Sequence, residues 1–380
     1  VQYRPFDLRL LTKETHDSCE FFLHQHHKSL EFPIETVTQN DRVDSDEKRL
    51  SDIFTKNFVS PICYTTKIKD CLIGPRPEGI SRYWPIFFGE NYAYNFLNNL
   101  SKEAYVKQRV FGWEQDDVIE FDESSVEPLE FSGPCVWLYT FYNIDHLLRE
   151  SLPSLVALEQ IGLDFKNLKF IVPNLNGTSI FEMLVAFGIP AKNIVQVERQ
   201  WMKFSEVYIP SFFSFGHLHT PSSFYPATGE RVKKAARDAK VNTKRPKRIF
   251  VSRERAGMRR LINERYVQAD FVKRGFDVID PGSMSKLEQA NYFSEAEVVV
   301  GQHGMGIANA IYAKPGCKIV EIMHTNLNRV SYFRTAQHLG GQHGVYYVEP
   351  MDLKYAQPGD KFGDVALDRT EFLTFLDKFL

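Results

Sequence analysis

Six residues, Gly301-Gln302-His303-Gly304-Met305-Gly306, stand where the apolar run 298–300 passes into a stretch of helical composition. A strand that runs straight into a helix presents unpaired backbone N–H groups and the positive end of the helix dipole. Glycines let an anion come close to such a backbone, and a phosphate is the usual guest. His303 can add a hydrogen bond to a phosphate oxygen. The pattern is neither G-x-G-x-x-G nor a P-loop, so it is not a dinucleotide or Walker fingerprint. A tight turn around a packed histidine is the competing account.

A second group follows the run 248–251. Arg253 falls at the end of that run, with Arg255, Arg259 and Arg260 close behind. Arginines at the ligand edge of a sheet suit bidentate binding of a diphosphate, whereas a solvated basic loop is the plainer account. A third group lies in "YNIDHLLRESLPSL" (142–155). His146 and Glu150 are four apart and so share one face near a helix start. A histidine there can serve as a general base near neutral pH, or it can be structural. His24, His26 and His27 look metal-like, but no partner is spaced to close a site, and they read as a solvated helix face.

The elements that must hold these groups alternate. From residue 134 onward, "CVWLYTF" reads as a strand, 144–161 as a helix, "LKFIVP" as a strand and 179–188 as a helix, followed by "NIVQV" and "EVYIP". The segment 226–246 reads as a polar, helix-prone connector between domains. A second series then begins: strands at 248–253, "FDVID", "EVVVG", "KIVEI" and "GVYYVEP", with helices between them. Strands alternating with helices imply βαβ units and parallel sheets. The tail carries Phe372, Leu373, Phe375, Leu376 and Phe379 on one helical stripe. The expected fold class is therefore α/β: two Rossmann-like, doubly wound domains facing each other across a cleft, with a C-terminal helix packing back, which is the GT-B arrangement, although the alternation alone suits other two-domain α/β proteins as well. The expected boundaries are 1–235 (an extension to 130 and a core at 134–210), 236–360, and a helix at 361–380 returning to the N-terminal domain. Residues 1–120 give only weak periodic signals, and 75–85 read as a proline-punctuated loop.

Composition bounds the function. With a formal net charge of −2 the chain lacks the basic excess of a general nucleic-acid binder. Five cysteines, irregularly spaced and without a C-x-x-C pair, argue against a disulfide framework or zinc site and for a reducing compartment. No apolar run approaches the ~18 residues of a membrane span. The triplets at Asn99 and Asn176 keep a secretory lumen as the alternative to a cytoplasmic site at the inner membrane face.

Three blocks carry a resemblance: Ser252-Arg253 with Arg260, Asn263 and Glu264; His303-Gly304-x-Gly306 with Asn309; and Pro315-Gly316 with Glu321. Together with "HLLRESLPSL" they resemble glycosyltransferase family 61 over roughly 134–348. Met305, where alanine is usual, and Leu147, where an aromatic is usual, depart from that pattern. The resemblance implies an inverting, metal-independent transferase with no cofactor. It would move a sugar from a nucleotide-sugar donor, a UDP-sugar first among the expectations, to a carbohydrate acceptor in surface polysaccharide synthesis. Asp277 and Asp280 are the nearest imitation of a metal-binding D-x-D and are one residue too far apart. On that reading the N–H groups of 304–306, His303, Arg253 and Arg260 stabilise the leaving diphosphate, with Arg259 and Gln302 beside them. Glu321 accepts from the ribose, and Met305 with the 210–225 loop shapes the sugar pocket. His146 takes the acceptor proton, oriented by Glu150 or Asp145. A polysaccharide pyruvyl transferase and a non-catalytic glycan-binding scaffold are the alternatives.

Overall fold

The computed structural model describes residues 2–6, 8, 18–26, 28–31, 36–38, 54, 57–75, 84–94, 119–140, 143–173, 178–215, 220–257, 259–325, 327, 329–349, 351 and 363–380. The chain divides into two compact units. One is Val1–Lys28 with Ser60–Gly216 and Pro221–Tyr225, and the other is Ser29–Val59 with His217–Thr220 and Pro226–Leu380. Asn99, Asn176, His27 and most of the 75–85 loop lie outside the described residues.

The second unit is wound on a six-stranded parallel sheet. Across it run Asp277–Ile279, Arg248–Val251, Val298–Gln302, Lys318–His324, His343–Val348 and Thr36–Thr38. Parallel sheets are covered on both faces, so their strands are apolar without alternation. Val298–Gln302 is buried at every position. In chain order the first five strands read 2-1-3-4-5. The winding direction therefore reverses between Arg248–Val251 and Val298–Gln302, and the crevice beyond the carboxyl ends at such a reversal is where open α/β sheets bind ligands. Ser252-Arg253 and His303-Gly304 are the residues that leave those two strands.

The domain organisation differs from the expected one in three places. The helix Tyr225–Asp238 belongs to the second unit from Pro226 on. Gly229 lets it lie on the backbone of Ile311, where a Cβ would come within 2.7 Å of the carbonyl oxygen. The expected inter-domain connector is thus a packed helix. Residues 29–59, placed by sequence in the first domain, contribute the edge strand Thr36–Thr38, in register with 343–345. The C-terminal helix Arg369–Phe379 does not return to the N-terminal domain. It packs on the second unit's own sheet, with Phe372 against Tyr346 and Phe271 (5.1 and 6.0 Å between ring centres) and with Leu376 and Phe379 in the same core. Parallel strands need a cover on that face, and this apolar stripe supplies it. Arg369 on Asp270 and Arg274 on Asp377 line the rim.

The first unit has a mixed sheet. Ile194–Val197, Lys169–Pro173, Leu129–Trp137 and Met202–Pro210 form its parallel part, in the order 3-2-1-4. The reversal falls between Leu129–Trp137 and Met202–Pro210. The long strand Cys63–Ile73 then joins Met202–Pro210 antiparallel. Cys19–Gln25 and Pro85–Phe88 pair with its other edge, and Asn91–Tyr94 continues the sheet. The described residues of the weakly periodic N-terminal region that belong to this unit thus mostly extend this sheet with β-strands. His24 lies on the strand Cys19–Gln25 and not on a solvated helix. Its Nε2 is 2.8 Å from Thr65 Oγ1, and burial lowers its pKa to about 4. All five cysteines are free and buried.

Candidate functional site

At the winding reversal of the second unit, Glu264 anchors the first loop. Ser252 Oγ donates to one of its carboxylate oxygens, and the Arg253 N–H donates to the other at 3.0 Å. Glu264 is buried and opens the helix Glu264–Lys273, where its charge suits the helix N-terminus. Ser252 is thereby consumed in fixing where Arg253 leaves the sheet. The Arg253 guanidinium then lies on Gly304, where a Cβ would overlap its Nη1. Gly304 has φ 168° and ψ 175°, extended backbone open to any residue, so it is glycine for room alone. Gly301 and Gly306 make room for Val251. A Cβ at either would come within 2.9 and 2.5 Å of that side chain. Two of the three glycines expected to admit a phosphate thus seat the preceding strand, and the third seats an arginine.

The helix after Gly304 is a 3-10 helix, Met305–Tyr312. Asn309, buried, donates to the Gly306 carbonyl at 3.0 Å and braces the turn from inside. Met305 is 48% exposed, the reverse of a core methionine. His303 stands behind the turn with Nδ1 2.5 Å from Glu321 Oε2, and its ring lies 5.1 Å from that of Tyr332. The Tyr332 hydroxyl donates to the Gly304 carbonyl at 2.6 Å.

Several expected donor contacts are corrected by this geometry. Glu321 is fully buried in mid-strand, and its second oxygen is 2.7 Å from His343 Nε2. It bridges two histidines and has no exposed surface to offer a ribose. Burial alone would raise its carboxyl, but charge and hydrogen bonds from His303 and His343 outweigh that and hold it below the usual carboxylate value. Arg260 donates through Nε and Nη2 to Asp364, at 2.9 and 2.6 Å, so its fork is occupied away from the Gly304 turn. Asn263 spends its amide on the backbone of Leu367, donating at 2.9 Å and accepting at 3.1 Å. What Arg260 and Asn263 secure is the return segment 363–367, far along the chain, which is why spacing could not reveal it.

Arg259 remains at the site. It has φ +52°, a left-handed conformation unusual for a side chain this large. Burial, and then the charge of Arg259, hold the Arg253 guanidinium below the usual arginine value, against the opposing pull of Tyr332, Glu264 and Asp280. Burial likewise lowers Arg259. Tyr332 opposes that shift and the charge of Arg329 adds to it. Three arginines are therefore close enough to raise one another's electrostatic cost. Arg259 Nε and Gln302 Oε1 are buried without a hydrogen-bond partner among the described residues, and buried polar atoms in that condition are uncommon. Arg329, Tyr332 and His343 were not read from the sequence. They lie beyond the next strand, and no local spacing ties them to Gly304.

Asp277 is half-buried and takes Lys244 at 3.4 Å, while Asp280 caps the turn Pro281–Ser283 by accepting from the Gly282 N–H. Among the described residues, no three His, Cys, Asp or Glu side chains gather in a metal-binding group.

The first unit has its own reversal loop. Asn143 caps the helix by accepting from the Asp145 N–H at 2.9 Å. His146 closes the first turn, and the next five residues, Leu147–Ser151, form a π-helical turn before the α-helix Leu152–Gln160. Pro153 has no N–H for the Arg149 carbonyl and crowds it, which favours such a widening. The Glu150 carbonyl takes the Phe213 N–H at 3.2 Å, tying the turn to the segment after Met202–Pro210. His146 Nδ1 lies 2.6 Å from Glu150 Oε1. Asp145 does not orient it: its carboxylate accepts from the fully buried Arg149 Nε at 2.8 Å, and Arg149 stacks 4.8 Å over Tyr225. An imidazole with Nδ1 held by a carboxylate presents Nε2 as its proton acceptor.

No curated protein matches the chain. A family model described as Glycosyltransferase 61 matches residues 144–320. That segment begins two residues before His146 and runs through Arg253 and His303 to Val320. It therefore contains both reversal loops, each on a doubly wound sheet of GT-B type. Through this segment, a little under half of its length, the chain is similar to glycosyltransferase family 61.

Proposed function

We propose that the protein is an inverting glycosyltransferase that takes a sugar from a nucleoside-diphosphate donor, UDP first among them, to a hydroxyl of a glycan acceptor without a divalent metal. The observation that carries this reading is the Arg253 guanidinium lying on Gly304, next to His303, at the reversal of a parallel sheet, with Arg259 close enough to Arg253, and Arg329 to Arg259, to add their charge. Positive charge concentrated against its own repulsion suits a polyanion, and arginine forks match phosphate oxygens. The unsatisfied Arg259 Nε and Gln302 Oε1 add a donor and an acceptor beside it.

In the reaction, the acceptor oxygen attacks the anomeric carbon while the bond from that carbon to the β-phosphate oxygen breaks. The electron pair departs with the nucleoside diphosphate, and the configuration inverts. His146 Nε2 takes the acceptor's proton, and Glu150 stabilises the imidazolium through Nδ1. The arginines neutralise the charge that develops on the leaving group, a role fixed donors fill without reorganising. Exposed Met305 contacts the donor at the mouth of the turn. Polysaccharide synthesis is the setting the family suggests, and the free, buried cysteines fit a reducing, cytoplasmic compartment.

Calorimetric titration with UDP, GDP, dTDP and CMP, each with and without EDTA, tests the reading. Binding of one nucleoside diphosphate with EDTA present is the expected result. Failure of all four, or binding only with added metal, would overturn it.

A further inference from the structure

The sheet register places three side chains in a row beneath the Gly304 turn. Gly301 is aligned with Glu321 and Glu321 with Val345, so His303 and His343 fall on the same face as Glu321. The carboxylate bridges them, with 2.5 Å to His303 Nδ1 and 2.7 Å to His343 Nε2. Glu321 and His343 have no exposed side-chain surface, whereas His303 keeps 10%. His303 is thus the outlet of a buried row.

We propose that His343 is a positioning residue for His303. It occupies one oxygen of Glu321 so that the other keeps a proton on His303 Nδ1, and a second proton taken up at Nε2 when the phosphate binds lets the ring donate to it as an imidazolium balanced by Glu321. The inference deepens the donor-site reading above and rests on it for the identity of the ligand.

The physical argument is one of compensation. A carboxylate buried this deeply stays ionised only while both donors hold it. If the His343 contact is lost, burial favours the protonated acid, which then donates to His303 Nδ1 and forces the ring into its other tautomer. The surroundings make His343 suited to the task. Phe54 and Phe333 pack its ring at 5.7 and 5.4 Å. Beyond them Arg334 lies 5.1 Å over Phe333. Tyr332 faces His303 from the helix Ser331–Leu339, with Arg253 and Arg259 beyond it. The edge strand Thr36–Thr38 pairs with the chain at His343 itself, so residues from far back in the chain secure the row.

The test uses full-length protein labelled with 15N-histidine. His303 resonances are assigned by their loss in H303Q, and the tautomer is read from long-range 15N–1H correlations. Wild type should show His303 protonated at Nδ1. H343L should move it to the neutral Nε2-protonated form beside a protonated Glu321, which donates to the phosphate without charge, and so weaken UDP binding on the order of tenfold, the scale typical of lost outer-shell partners. H343Q, which keeps an N–H donor for Glu321, should restore both. An unchanged His303 tautomer in H343L overturns the proposal, as does H343Q behaving like H343L. If H343L does not fold, E321Q decides. Its amide can satisfy both rings only if one of them reverses its tautomer, and unchanged patterns for both rings would overturn the proposal. Should wild type fail to bind UDP while the tautomers behave as stated, the donor reading fails and the positioning of His303 stands.

Discussion

Gly304→Ala is the sharpest probe of the site. The backbone at Gly304 is extended, so alanine adds no conformational strain. Its methyl meets the far end of one flexible side chain, the Arg253 guanidinium. The arginine can swing aside, so the fold should tolerate the change within the ±0.5 kcal/mol or so of an ordinary substitution. Displacement does, however, remove the fork from the phosphate. A hydrogen bond to a charged partner contributes ~1.5–3 kcal/mol. At roughly 1.4 kcal/mol per factor of ten, Kd for UDP should rise about 10- to 150-fold. Calorimetry on wild type, G304A, R253A and the double variant completes a cycle. If the methyl acts only through Arg253, adding G304A to R253A costs nothing further, and the two losses do not add. Fully additive losses, or unchanged UDP affinity in G304A, would refute the reasoning.

Three other outcomes follow from the same geometry. His146→Gln should lower kcat by ~10²- to 10⁴-fold, the usual contribution of a general base, with UDP affinity unchanged in calorimetry. Arg260→Ala should leave UDP affinity at the wild-type level, because its fork holds Asp364; a marked loss of affinity would return it to the donor site. His24 is depressed to about 4 by burial, from an ordinary value of 6.5, so the unfolded chain binds its proton first as pH falls. Its contribution to stability is present above pH 6.5 and is lost as pH falls toward about 4. Melting temperatures of His24→Gln should depend less on pH across that window than those of wild type.

The blocks around Arg253, His303 and His146 were legible because each sits where an apolar run meets a helical pattern, and in parallel folds that junction is the ligand edge. The strand–helix alternation from residue 134 onward was legible for the same reason. The N-terminal strands were harder to read, since short antiparallel strands such as Pro85–Phe88 carry too few residues to show a period. The stripe Phe372–Phe379 announced an apolar partner but not which sheet would receive it.

Residue types and local spacing thus determined the fold class, the two reversal loops and the basic character of the donor edge. They are local properties, set by propensity and periodicity. Tertiary structure alone decided the assignment of partners. Glu321 meets His303 and His343 because strand register brings positions 18 and 22 residues apart onto one face. Arg260 is diverted to Asp364, 104 residues away. Arg329 and Tyr332 arrive from beyond a further strand. Chain separation carries no information about such contacts, because the register and the order of the strands are fixed only when the whole sheet closes its core.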